Sequence, residues 1–283
     1  MLRSLVPIQK GQEVLISYID TTDPYDRRQA QLKSRYCFTC TCTKCQRGPN
    51  EREDEWTQPP SSLSGEKWSS LLASSVRGGS IQHNVSMLQA KLFDDYEKAH
   101  AQSSTTNAIK AYTCILQTCK DTTFYPLSRQ PYANARAELI PALLANSQLS
   151  TALFHMAKLY FQIDPLLYPT PFHPIRVLHT YTLAKTLLLA YSSLNDNGTA
   201  VIDAGVRKLF IQGFDFVVPI WRLLRELVGL VAKSHGEQSG VAFMVHALAA
   251  QVSEGVGAHN LRIIERDALG MWQEFEKWAY FDV

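Results

Sequence analysis

Apolar positions follow two different rhythms along this chain. Near the start, Val14-Leu15-Ile16 and Tyr18-Ile19 form a compact run of β-branched, aliphatic and aromatic residues, the composition of a buried strand. Asp23-Pro24 then reads as a helix cap followed by proline at the first helical position, with Arg27, Arg28, Gln29, Ala30 and Leu32 continuing the helix. From Arg47 to Gly65 the sequence turns polar and carries Pro49, Pro59, Pro60 and several serines, the pattern of a linker. Beyond it the period becomes helical. Val85, Leu88, Leu92, Tyr96 and Ala99 share one face, as do Ile109, Tyr112, Leu116 and Cys119. Further stripes are Leu149, Leu153, Met156 and Tyr160; Val177, Tyr181, Ala184, Leu188 and Tyr191; and Ile220, Leu223, Leu224, Leu227 and Val231. The last comprises Leu261, Ile264, Ala268, Met271, Phe275 and Trp278. Breaks fall near Pro126, Pro169-Thr170-Pro171 and Asn195-Asp196-Asn197-Gly198.

This pattern predicts a mainly α protein: a small β-containing unit over residues 1–46, a linker over 47–65 and a helical array over 66–283. No clean repeat period runs through the array, so any tetratricopeptide-like character would be degenerate. Composition adds bounds. With 46% hydrophobic and 19% charged residues, 283 residues suffice for a large core. A formal charge of +2 gives no general attraction to nucleic acid or anionic membranes, and the absence of paired zinc-finger histidines also argues against a zinc-dependent nucleic-acid binder. The apolar stretch from Phe214 to Val231 is interrupted by Asp215, Arg222, Arg225 and Glu226, so no membrane span is expected. Met1 to Pro7 lacks the apolar run of a secretory signal, which points the six cysteines towards a reducing compartment and free or metal-bound thiols.

The candidate chemistry lies in Tyr36-Cys37-Phe38-Thr39-Cys40-Thr41-Cys42-Thr43-Lys44-Cys45. Cys40, Cys42 and Cys45 are spaced to converge on one soft cation, and sulfur donors with tetrahedral preference favour zinc. A closed structural site needs a fourth donor; Cys37 is the next thiol in line, and unliganded surface thiols are the competing reading. Cys114 and Cys119 point to different faces of a helix, with Cys119 on an apolar stripe as a small core side chain. Tyr18 ends the apolar run either as a packed core phenol or as a functional hydroxyl. His173 and His179 fit a helix cap and an exposed or packed imidazole better than a metal site.

An ordered string of residues carries a family resemblance. Ile8-x-x-Gly11-x-Glu13, Ser17-Tyr18-Ile19-Asp20, Arg27 or Arg28, Leu32, Tyr36-Cys37-Phe38 and Cys40-x-Cys42-x-x-Cys45 together resemble the last part of a SET domain and its post-SET cysteines, over residues 2–46. The likeness is to the SMYD subgroup of protein-lysine methyltransferases, in which a SET domain split by a MYND zinc finger precedes a helical C-terminal domain. The segment from His173-Pro174-Ile175-Arg176 to Leu187-Leu188 is similar to that helical domain. The resemblance implies that Tyr18 is the active-site tyrosine orienting the lysine amine and the methyl group of S-adenosylmethionine. It implies that Tyr36 lines the lysine channel, that Phe38 packs near the cofactor, and that Cys40, Cys42 and Cys45 are three of four zinc ligands. Its implied partner is a protein or histone lysine substrate, and its implied location cytoplasmic or nuclear.

The sequence also departs from the family. The Asn-His-x-Cys-x-Pro-Asn run that supplies the fourth zinc ligand and cofactor contacts does not occur in it, nor does a MYND cysteine cluster. The expectation is therefore a truncated SET-domain fragment, inactive as an isolated chain. The alternative is a noncatalytic helical module that binds a peptide on its array.

Overall fold

The computed structural model describes residues 7–14, 16–49, 81–122, 125–195, 203–256 and 269–281. Its helices are α1 (Tyr25–Tyr36), α2 (Thr43–Gln46), α3 (Ile81–His100), α4 (Thr105–Asp121), α5 (Tyr132–Ala145) and α6 (Leu149–Lys158). A π-helical turn, Leu159–Ile163, joins α6 to α7 (Asp164–Leu167), followed by α8 (Pro174–Asn195), α9 (Ala204–Ile211), α10 (Val217–His235) and α11 (Gly240–Val256). Residues 269–277 are helical (α12) and run into a 3-10 turn, Trp278–Tyr280. The chain forms two compact units, Lys10–Leu139 and Ile140–Val283 with Met1–Gln9; the division falls inside α5. Most of the expected linker, residues 50–65, lies outside the described residues.

The expected β-containing remnant is overturned: among the described residues there is no strand. A strand needs a neighbour to pair its N–H and C=O groups and a core to cover one face, and the apolar run finds neither. Val14, Ile16 and Tyr18, which would share one face of a strand, are 68%, 58% and 51% exposed, so that face of the run is not buried. The reading of Tyr18 as a packed core phenol falls with it.

In the Lys10–Leu139 unit, α3 and α4 pack through Leu92, Phe93 and Ala99 against Tyr112, Ile115, Leu116 and Cys119, all buried. Cys114 is exposed, as its place on the opposite face requires. Helix α1 is fastened to α3 by Arg27, whose guanidinium lies 4.0 Å over the Phe93 ring and donates to Glu97 Oε1 at 2.7 Å. Its start is shifted by one residue from the sequence reading. Pro24, not Asp23, is the cap, and its carbonyl accepts the Arg28 N–H at 2.9 Å. Asp23 is buried and accepts from Arg27 Nε at 3.3 Å and Gln31 Nε2 at 3.4 Å. Burial, reinforced by the charge of Asp20, pushes the Asp23 carboxyl up to about 6 despite the opposing Arg27.

In the Ile140–Val283 unit, α10 is central, packing on both α8 and α11. Its predicted stripe of Ile220, Leu223, Leu224, Leu227 and Val231 is buried throughout. On α8 the buried face is Val177, Thr180, Leu183, Ala184, Leu187 and Ala190; Tyr181, Leu188 and Tyr191 sit at its margin. A second displacement falls at the π turn: Leu159 and Ile163 continue the buried row of Ala152 and Met156, and Tyr160 is only half-buried beside it, its hydroxyl donating to Glu226 Oε2 at 2.5 Å. Phe275 anchors the terminal segment, with ring centroids 5.4 Å from Phe161, 5.5 Å from Trp272 and 5.3 Å from Trp278. Leu261, Ile264 and Ala268 lie outside the described residues. No helix among the described residues is long and apolar enough to cross a membrane.

Two outcomes follow for stability. Leu224→Ala, at a fully buried position, lowers unfolding free energy by about 2–5 kcal/mol in urea denaturation, whereas Leu189→Ala, on the exposed side of α8, changes it by no more than about 0.5 kcal/mol. Asp23 titrates higher in the folded protein than in the unfolded chain, so the native state binds its proton more tightly. Its contribution to stability is greatest below about pH 4 and is lost as pH rises to about 6. Asp23→Asn removes that slope and raises stability at pH 7.5 by about 1–3 kcal/mol, checked by denaturation across the range.

Candidate metal centre

Helix α1 closes on Cys37, whose left-handed conformation (φ 59°) lets its N–H bond the Lys33 carbonyl at 3.1 Å and turns the chain out of the helix. The segment that follows gains order from side chains. Gln29 Nε2 donates to the Cys40 carbonyl at 3.0 Å, and the Cys40 N–H donates to Gln29 Oε1 at 3.0 Å. Lys44 Nζ donates to the Thr21 carbonyl at 2.5 Å, tying α2 to the loop before α1. That loop is itself braced. Thr22 donates through its N–H and hydroxyl to Asp20 Oδ1, and buried Gln130 donates to Thr22 Oγ1 at 2.7 Å. Asn134 Nδ2 donates to Asp20 Oδ2 at 3.0 Å.

On this frame the sulfurs of Cys40, Cys42 and Cys45 lie within 4.8 Å of one another, with Cys45 buried and the other two half-buried. All are free thiols. Sulfurs of a tetrahedral zinc site stand about 3.8 Å apart, from Zn–S bonds of about 2.3 Å, so the three side chains fit such an ion with little movement. Electrostatics favour one thiolate. At Cys42 burial opposes ionisation, but hydrogen bonds from the Cys45 N–H, the neighbouring thiols and the Lys44 N–H outweigh it and hold the thiol below its ordinary value. Cys45 is pushed up to about 11, by burial first and then by hydrogen bonds with Cys42 and Cys40 that favour its protonated form. A bound cation would displace those protons. Cys37 stands outside the three-sulfur group and is exposed.

The three aromatic residues singled out from the sequence meet at the surface. Tyr18 and Tyr36 have ring centroids 5.0 Å apart at 52°, and Phe38 meets Tyr18 edge-on at 6.0 Å. The Tyr36 hydroxyl donates to the Tyr18 carbonyl at 3.4 Å. All three remain exposed, by 51%, 45% and 38% for Tyr18, Tyr36 and Phe38. The aromatic corner is therefore open to solvent.

Neither His173 nor His179 joins a metal-binding group among the described residues. His173 precedes α8, stacks on Tyr168 at 4.5 Å, and is held below its ordinary pKa chiefly by burial. His179 Nδ1 lies 3.0 Å from an oxygen of Asp164, a buried carboxyl. That pairing was invisible in the sequence, since neither residue belongs to a recognisable motif. Gln29 was likewise read as helix filler; with Cys40 eleven positions on, no local pattern announces their two-point contact.

No protein-family model matches the chain. Similarity to curated proteins is local. A SET and MYND domain-containing protein of Dictyostelium discoideum is 50% identical over 38 residues, covering 13% of this chain and 7% of the relative. Human histone-lysine N-methyltransferase SMYD1 is 46% identical over 46 residues, 16% of this chain and 9% of the relative. Protein SET DOMAIN GROUP 41 of Arabidopsis thaliana is 36% identical over 67 residues, 24% of this chain and 12% of the relative. The match thus spans no more than about an eighth of the length of these three relatives. With the three-thiol cluster beside the aromatic corner, these matches identify an SMYD-like segment within the chain.

Proposed function

We propose that this chain supplies the substrate-channel and zinc-clasp side of a SET-domain protein-lysine N-methyltransferase that uses S-adenosylmethionine. The observation that carries the reading is the aromatic corner of Tyr18, Tyr36 and Phe38 on the same short stretch as the three gathered thiols. Local similarity to proteins named as histone-lysine methyltransferases supports it. Ring faces attract ammonium and sulfonium cations alike, so the corner is chemically suited to both a lysine side chain and the cofactor. S-adenosylmethionine, when bound, supplies the electrophilic methyl group. The Tyr18 hydroxyl orients the lysine amine for in-line attack, Tyr36 flanks the lysine chain, and Phe38 packs towards the cofactor. Their contribution is alignment, which accounts for much of the acceleration of such a displacement.

Cys40, Cys42 and Cys45 would hold a zinc ion, which would cross-link the chain just beyond Phe38 and stabilise the fold there. The substrate is a lysine of a histone or another protein, with the nucleus or the cytoplasm as the place of work. The Asn-His-x-Cys-x-Pro-Asn residues that complete the cofactor site in the family do not occur in these 283 residues, so the chain alone is not a complete enzyme on this reading.

The purified chain takes up one zinc per molecule, counted by metal analysis, and Cys42→Ala lowers that content; unchanged zinc would sink the clasp. Calorimetric titration of the zinc-loaded chain with S-adenosylmethionine gives no one-to-one isotherm, whereas clear binding would place a full cofactor site within this chain. A longer polypeptide that joins this chain to a SET segment bearing the missing motif methylates protein lysine, and Tyr18→Phe slows it about 100-fold. Absence of transfer by that polypeptide overturns the proposal.

A further inference from the structure

The three thiols are not held alike. Cys42 caps α2 and Cys45 lies within it; the Gln46 N–H bonds the Cys42 carbonyl at 2.9 Å and Lys44 ties the turn to Thr21. Their spacing is therefore set by local helical geometry. Cys40 lies outside α2, in a stretch from Phe38 to Thr41 that belongs to no helix. Gln29 satisfies both its peptide groups: the side-chain amide donates to the Cys40 carbonyl and accepts from the Cys40 N–H, each at 3.0 Å. A primary amide presents one donor and one acceptor on the same edge, as a neighbouring strand would, so it fixes both position and orientation of the peptide it meets. Gln29 is itself carried on a rigid element, because Arg28 and Leu32 are buried and Arg27 is anchored on Phe93 and Glu97.

We infer that Gln29 is a positioning residue for the metal clasp: its amide holds the Cys40 backbone, and through it the Cys40 sulfur, where Cys42 and Cys45 converge. The inference rests on the zinc reading of the three thiols. Without this contact Cys40 must be ordered by the ion at the moment of binding. With it, the third donor is in place beforehand, and affinity rises because less freedom is lost. Among the described residues the hydrogen bonds of the Gln29 amide to the clasp both go to Cys40, so its removal acts first on one ligand of three.

The test uses the full chain and two variants, Gln29→Leu, close in size without either hydrogen-bonding group, and Gln29→Ala, whose strong helix propensity preserves α1. Gln117→Leu, on the exposed face of α4, is the control. Zinc affinity is measured by competition with a chromogenic chelator, and cobalt(II) is substituted so that its ligand-field and thiolate charge-transfer bands report the arrangement of the sulfurs. Both Gln29 variants bind zinc about 10–100-fold more weakly than the parent, with altered cobalt bands and unchanged far-UV circular dichroism. The control matches the parent. Equal affinity and identical cobalt spectra for parent and Gln29 variants overturn the inference while leaving the clasp intact. A parent chain that binds neither metal overturns the clasp itself, and the inference with it.

Discussion

Backbone polar groups outside helices must find partners, and in the region carrying the candidate chemistry they find them on side chains. Residues 18–46 contain α1 and the single turn of α2, and the rest has neither helix nor strand among the described residues. Asp20, Thr22, Gln130 and Asn134 hold the approach to α1, Gln29 holds Cys40, and Lys44 ties α2 back to Thr21. Each such bond contributes only about 0.5–1.5 kcal/mol net, but leaving a buried partner unpaired costs more. The thiol cluster and the aromatic corner both depend on this scaffold of polar contacts rather than on a core of their own.

The two ends of that scaffold differ chemically. On one side, Asp23 is buried beside Arg27 and carries a carboxyl shifted towards neutrality, so the cap region of α1 responds to mild acid. On the other, Cys42 is biased towards thiolate and Cys45 away from it, leaving a mixed set of sulfurs that a soft cation would convert to uniform donors. The aromatic corner of Tyr18, Tyr36 and Phe38 is open to solvent, and the local similarity to SET-and-MYND proteins covers only a short segment of the chain.

The Ile140–Val283 unit has the opposite character. Its order comes from apolar burial along α10 and from rings gathered on Phe275. The polar pairs there fasten consecutive helices, His179 with Asp164, and elements far apart in sequence, Tyr160 with Glu226. The predicted stripe through Tyr160 is displaced there, because the buried row of the helix runs through Ala152, Met156, Leu159 and Ile163 instead.

By itself the sequence marked α1, α3, α4, α6, α8 and α10 and the most buried stripe, because a 3.6-residue period in apolar side chains is a local property that survives in any packing; α5, α9 and α11 were not read from it. It also determined the three clasp thiols, whose short spacing already limits how far apart they can lie. Only the tertiary structure decided the fate of Val14 to Ile19. A strand is defined by its neighbours, and without a partner strand Val14, Ile16 and Tyr18 stay exposed. Pairing between elements likewise made Gln29 the partner of Cys40 and Asp164 the partner of His179, since such a hydrogen bond depends on where helices come to rest and leaves no periodic mark in the chain.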